Sequence, residues 1–258
     1  MKLAEELGKA SVMFAMTLRY LLSTRRGIAT AALAAVPLLL AGSLAAARVE
    51  TFDILLFQIL MVPLFLQVVL IFVTLVSATA LIREEIEDNT LPYLLTRPVS
   101  KPAIALYKYT GYLVAVLVLL VPPLVLAYVV TQGYAGDPLG SELDVLAAFL
   151  GATALGGAAY GAFFTLLSVL TRRPLVVGLL FGFLWESVVG SIPGDVPRLS
   201  IIHYLRSILK DMIDVGPLAG YPTDVSAAAA AAILIAFTIA ALLLAMVVFQ
   251  QSEFKQKA

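Results

Sequence analysis

A carboxylate near mid-bilayer costs about 2.5–3.5 kcal/mol on insertion scales. This sequence nevertheless carries one, Glu186, inside the otherwise uncharged run 175–191. Two uses fit it. It is protonated or paired at a pathway or subunit seam, or it sits near the outer headgroups because its run is short, and the lower cost near the interface favours the second use. Trp185 beside it suits an interfacial anchor. Gln58 and Gln67 lie in the run 54–82 and face either a polar route or a neighbouring helix, with helix-to-helix hydrogen bonding favoured. Other chemistry is poorly supplied. The pair Glu84–Glu85 invites comparison with membrane metalloproteases, but such a site needs histidines on neighbouring helices. The sole histidine, His203, falls in a different segment, where a solvated interfacial residue is expected. Cysteine is absent, so no thiolate nucleophile or thiolate metal site exists. No metal site is expected.

The elements that must position these residues follow from composition. Of the 258 residues, 61% are hydrophobic and 13% are charged, against about 25% charged in soluble domains. Bilayer is therefore the solvent. Lys+Arg 17 balance Asp+Glu 17, so no global field recruits nucleic acid. A run of about 20 apolar residues crosses a hydrocarbon core of about 30 Å, and six such runs occur, at 28–47, 54–82, 109–130, 145–170, 175–191 and 226–249. The expected fold is an all-α membrane protein of six transmembrane helices forming one domain over 1–258.

Thirteen of the 17 basic residues fall on one side of this arrangement, leaving only Arg48, Arg198, Arg206 and Lys210 on the other. The positive-inside bias and the even number of spans both place the termini in the cytoplasm. The loop 131–144, with acids but no Lys or Arg, suits the outside. The charged stretch before the first run, about 27 residues long, exceeds a signal-peptide n-region. It reads instead as an amphipathic helix over 1–27 at the inner face, with Leu3, Leu7, Ala10, Phe14, Leu18 and Leu21 on one side. An extracytoplasmic segment at 192–225 contains a second amphipathic pattern. There Ile201, Ile202, Leu205, Ile208, Leu209 and Met212 oppose Arg206, Lys210, Asp211 and Asp214, as a lid or as an exit gate. Gly157 and Gly161, and Gly178 and Gly182, have G-x-x-x-G spacing. The first pair suits internal packing, and the second is a candidate subunit seam.

The long inner loop at 83–102 combines an acidic start with an apolar centre. Asp88, Asn89 or Thr90 caps a short helix, the acids suit its positive end, and Pro98 ends it. Leu91, Leu94 and Leu95 then share one side, which calls for a membrane or a partner groove. Arg83, Glu84, Glu85, Asn89, Thr90, Leu91, Leu94, Leu95, Pro98, Val99, Ser100, Lys101 and Lys108 together make this stretch resemble the one between the second and third helices of ABC-2 type permeases. Asn89 stands where that family usually has Gly, and Asn accepts the same turn geometries. The turn SVLTRRP at 168–174 and the residues Trp185, Glu186 and Pro193 add weaker support.

The resemblance implies the membrane subunit of an ATP-driven exporter. The helix around Asp88 to Arg97 would be a coupling helix docking into a separate ATPase subunit, present in two copies, with Arg172 and Arg173 as a second contact. A second permease copy, as a homodimer, would complete the pathway in the plasma membrane. ATP and Mg would be bound by the ATPase. The sequence agrees with that division, because no G-x-x-x-x-G-K-[ST] phosphate loop occurs in it.

Overall fold

The computed structural model describes the backbone of residues 2–87, 101–190, 192, 194–213 and 216–251, and the side chains within these from 10–81 and from 102 onward. Asp88, Asn89, Thr90, Leu91, Leu94, Leu95 and Arg97 lie outside the described residues, as do the side chains of Arg83, Glu84 and Glu85. The described residues contain helices and no strand. Four helices are long and apolar enough to cross a membrane: Ile54–Leu81, Pro102–Ala135, Leu143–Leu170 and Ala227–Gln251. A bent pair, Arg25–Ala34 with Val36–Ala46, makes a fifth if counted as one span. The sequence predicts six continuous spans. The shortfall lies in the run 175–191, where the apolar helix Pro174–Val189 is too short to cross alone.

In chain order, α1 (Lys2–Ser23) lies against the start of α6 (Lys101–Ala135). Gly111 of α6 leaves room there for Thr17 and Phe14. Thr24 then caps α2 (Arg25–Ala34), its hydroxyl accepting from the Gly27 N–H at 3.2 Å. The pair α2 and α3 (Val36–Ala46) bends by 41° next to Pro37, which lacks a helical N–H and clashes with the preceding turn. α3 ends in a Schellman motif, with the Val49 N–H bonded to the Leu44 carbonyl and the Arg48 N–H to the Ala45 carbonyl.

The second span joins α4 (Ile54–Met61) to α5 (Leu70–Glu87) through a π-helical stretch, Val62–Val69. Pro63 is the second residue of that stretch, and a proline that cannot donate to the ladder is a ready cause for the shift in hydrogen bonding. α6 runs back from the end of α5, and α7 (Leu143–Leu170) returns after a short connection. α7 forms the centre of the bundle. Its small residues let neighbours close in: the Tyr112 hydroxyl reaches the Gly157 carbonyl at 2.9 Å, and the Tyr112 ring covers Gly161. Gly157 and Gly161 thus serve internal packing.

After the tight turn 171–173, α8 (Pro174–Leu179), a second π-helical stretch (Leu180–Trp185) and α9 (Glu186–Val189) form one short rod. A 3-10 turn, Val196–Leu199, leads into α10 (Ile201–Met212), and α11 (Ala227–Gln251) is the last helix among the described residues. α11 packs on α7 and on α10. The ends of α5 and α7 and the start of α6 share one end of the bundle, which carries Lys108, Arg172 and Arg173. Glu50, Asp53 and Asp137 surround a shallow hollow at the other end, together with Arg48.

Candidate functional site

The rod 174–189 runs antiparallel to α5. Gly178 faces Leu75, Gly182 faces Ile71, and Ser187 faces Gln67. A Cβ on Gly182 would stand 2.5 Å from the Ile71 Cγ2, and one on Gly178 would collide with the Leu75 side chain. The close approach expected of a subunit seam is therefore made within the chain. Both glycines bring the rod against the second span.

Gln67 is the fixed point that gives the rod its depth. It lies midway between Ile54 and Leu81, about 20 Å from either end at helical rise. Its Nε2 donates to the Ser187 hydroxyl at 2.9 Å, and its Oε1 accepts from the Arg206 Nη2 at 3.1 Å. This is the helix-to-helix role favoured from sequence. Gln58, also buried, lies instead against Gly216 in the connection after α10.

Glu186 sits one residue before Ser187, so it lies level with the middle of the second span. It is 1% exposed. The Ile201 N–H donates to its Oε1 at 3.2 Å and the Ile202 N–H to its Oε2 at 2.9 Å. Those amides are the unpaired donors of the first turn of α10, at the positive end of its dipole. A carboxylate is the group that such an end attracts. Arg206 supplies the counter-charge, and the Tyr160 hydroxyl is buried beside the carboxylate, close enough to interact but outside hydrogen-bond geometry. The Trp185 indole N–H donates to the Leu199 carbonyl at 3.3 Å, so it too serves the joint between rod and α10.

The apolar side of α10 is buried as its periodicity predicts, at Ile201, Ile202, Leu205, Ile208 and Leu209, while Met212 is exposed. The reading of the opposite side needs correction. His203 is 3% exposed, its Nδ1 2.9 Å from the Tyr221 hydroxyl, and Arg206 turns inward to Gln67. Burial raises the Tyr221 hydroxyl above its ordinary range, partly offset by Arg206, whose guanidinium lies 5.7 Å from the ring centre. Lys210 donates to the Thr223 carbonyl, and Asp211 accepts from the Ala227 N–H at 2.7 Å. α10 is thus enclosed on both sides. Sequence reasoning alone does not single out Arg206 and Tyr160 as partners of the buried acid, or Ser187 as the partner of Gln67. The one clue is Glu186 itself, because a lone acid in an apolar run calls for a counter-charge, and Arg206 is one of four basic residues on its side.

At the basic end, Lys108 is buried and its Nζ donates to the Leu81 carbonyl at 2.8 Å, joining the end of the second span to the start of the third. Arg172 and Arg173 are both exposed on the turn between α7 and α8. Among the described residues no cluster of His, Asp and Glu is arranged to hold a metal.

Comparison with known proteins places this bundle. No curated protein matches the chain. A family profile described as ABC-2 family transporter protein matches residues 25–192, from the first turn of α2 past the end of the rod, which is more than half of the sequence. With its several apolar helices and that match, the chain belongs to the ABC-2 family of transporter proteins and is a multi-pass membrane permease.

Proposed function

We propose that the chain is the membrane-spanning subunit of an ATP-driven exporter, working as a pair of permeases with two separate ATPase subunits that bind ATP and Mg. The family match supports the reading, since members of this family generally work with ATPase partners. The sequence contributes the missing phosphate loop and the acid-then-leucine stretch 83–102. The observation that carries it furthest is the Lys108–Leu81 bond. It fixes the two helices from which that stretch departs, so a push on the loop is delivered to α5 and α6 together rather than absorbed between them. Leu91, Leu94 and Leu95 then form the face that enters the ATPase, with Arg172 and Arg173 as the neighbouring contact. In this reading both termini and the basic end are cytoplasmic, and α10 lies toward the exit.

The test is a Leu94→Asp, Leu95→Asp double variant, purified with its ATPase and reconstituted in vesicles. The expected result is a folded protein in which ATP hydrolysis no longer drives transport. Normal assembly and normal transport by that variant would sink the coupling assignment.

One observation favours a second reading, an autonomous secondary transporter or channel: the Glu186–Arg206 charge set at mid-depth, beside a helix break, is a feature such proteins use. The two readings part on energy source. Transport by the chain alone, driven by an ion gradient without an ATPase, selects the second.

A further inference from the structure

α7 ends at the basic end of the bundle, whereas α11 begins at the opposite end, where the Ala227 N–H meets Asp211. The chain between them has to cross, yet its described residues contain no helix long enough to do so. Two half-length helices cover the distance. The rod 174–189 follows the second span from Leu75 to Gln67 and stops level with its middle. α10 takes over there: Leu205 fills the space over Gly156 beside Leu70, and Leu209 and Ile213 approach Gln58 and Phe149 near the far end.

We propose that residues 174–212 make one discontinuous membrane crossing, and that Glu186 is the positioning residue that docks its outer half, α10, onto its inner half and releases it when the outer side opens. The release step rests on the exporter reading; the docking does not.

The physics of the joint supports this assignment. A helix that begins at mid-depth presents amide donors where water is scarce, and a dry unpaired donor is costly. Glu186 satisfies two of them and complements the helix dipole. Removing Glu186 therefore exposes both the donors and the Arg206 charge at once. α10 is also held by side-chain bonds to the chain that follows it, where His203, Lys210 and Asp211 meet Tyr221, Thr223 and Ala227. α10 rests on its neighbours through apolar contacts over a glycine, and one side-chain bond, Arg206 to Gln67, ties it to the second span. Around it the Arg206 Nε and the His203 Nε2 are buried without hydrogen-bond partners among the described residues. Buried polar atoms in native proteins are normally satisfied. The Tyr160 hydroxyl and Arg206 both interact with the Glu186 carboxylate, so the polar groups of this seat depend on it. Both π-helical stretches also end within a few residues of the joint, at Val69 and at Trp185. Such stretches commonly mark functional points in a helix.

The sequence supplies its own background for a test, since it contains no cysteine. Ser207 is fully buried on α10, so Ser207→Cys in the full chain, reconstituted in vesicles, gives one thiol to probe from the outer side with a membrane-impermeant sulfonated maleimide. With Glu186 present and no nucleotide, labelling should be slow. Glu186→Ala should speed it by about tenfold or more, as loss of charge-assisted bonds implies, and Glu186→Gln, which keeps one acceptor, should fall between. Equal rates in all three proteins overturn the proposal. If Glu186→Ala is not recovered folded, Glu186→Gln decides alone, and an unchanged rate overturns it. Addition of the ATPase and ATP to the Glu186 protein should also speed labelling. Faster labelling in the variants with no response to ATP would keep the docking role and remove the exporter reading instead. A purely structural Glu186 would lower thermal stability without changing labelling of the folded fraction, which also overturns it.

Discussion

The Lys108 ammonium donates to the main-chain carbonyl of Leu81 at 2.8 Å, across a sequence separation of 27 residues. The lysine is 9% exposed, so its charge is held close to α5 by this contact and its other neighbours. Lys108→Met keeps the length of the side chain and removes the donor. Loss of a charge-assisted bond of this kind costs about 1.5–3 kcal/mol, which should appear as a lower unfolding temperature in detergent. Under the exporter reading a second effect follows: the ATPase still binds, but its hydrolysis is less tightly linked to transport. Unchanged transport per ATP in Lys108→Met argues that the bond only stabilises the fold.

Arg48 holds φ at 53°, the one positive value found on a described residue other than glycine. It occupies the left-handed position of the Schellman motif that ends α3, where glycine is the usual residue because a Cβ is disfavoured. Arg48→Gly should therefore be neutral or stabilising by up to about 1 kcal/mol. Arg48→Val, β-branched, should be the destabilising control. Thermal unfolding of the two variants checks the order.

Gly182 faces the Ile71 side chain and Gly178 faces that of Leu75, both in the second span. A Cβ at 182 must displace Ile71, and overpacking of this sort costs about 1–3 kcal/mol. Gly182→Ala is expected to lower stability, and that cost should largely disappear when it is measured against an Ile71→Ala background, where room has already been made. The rescue is diagnostic. If these glycines met a second subunit instead, Ile71→Ala would not help and the oligomeric state would change, which size-exclusion chromatography with light scattering measures.

How much of this is legible in the sequence depends on what periodicity can report. The second, third, fourth and last spans are readable because each is an uncharged run longer than the hydrocarbon core. The rod 174–189 is readable as apolar, but its depth is not, because depth is fixed by the Gln67–Ser187 contact over a separation of 120 residues. α10 shows the same limit from the other side. Its apolar face follows from the spacing of its leucines and isoleucines, yet that spacing tells which side of a helix avoids water and not whether lipid or protein covers it. Arg206 therefore reads as solvated, when it faces inward to Gln67. The counter-charge for Glu186 is hidden for the same reason.

Gln67 offers the last check, because the structural and transport roles weighed for it predict opposite outcomes. Its amide donates to Ser187 and accepts from Arg206, so both functional ends of the side chain are used. Gln67→Leu removes both bonds and leaves the guanidinium, whose Nε already lacks a partner, with less compensation in a dry site. A cost of about 1–3 kcal/mol is expected for stranding a buried polar group, and more where it is charged. Gln67→Glu keeps an acceptor for Arg206 and lets the Ser187 hydroxyl turn to donate, so it should be far milder in an unfolding assay. If Gln67 instead lined the transport route, the order would reverse in the assay that matters: Gln67→Leu would fold normally, and Gln67→Glu, by placing a charge in the path, would be the one to change transport. Measuring stability and transport on the same two variants separates the cases, because a hydrogen-bond hub ranks leucine as the worse substitution and a pathway wall ranks glutamate so.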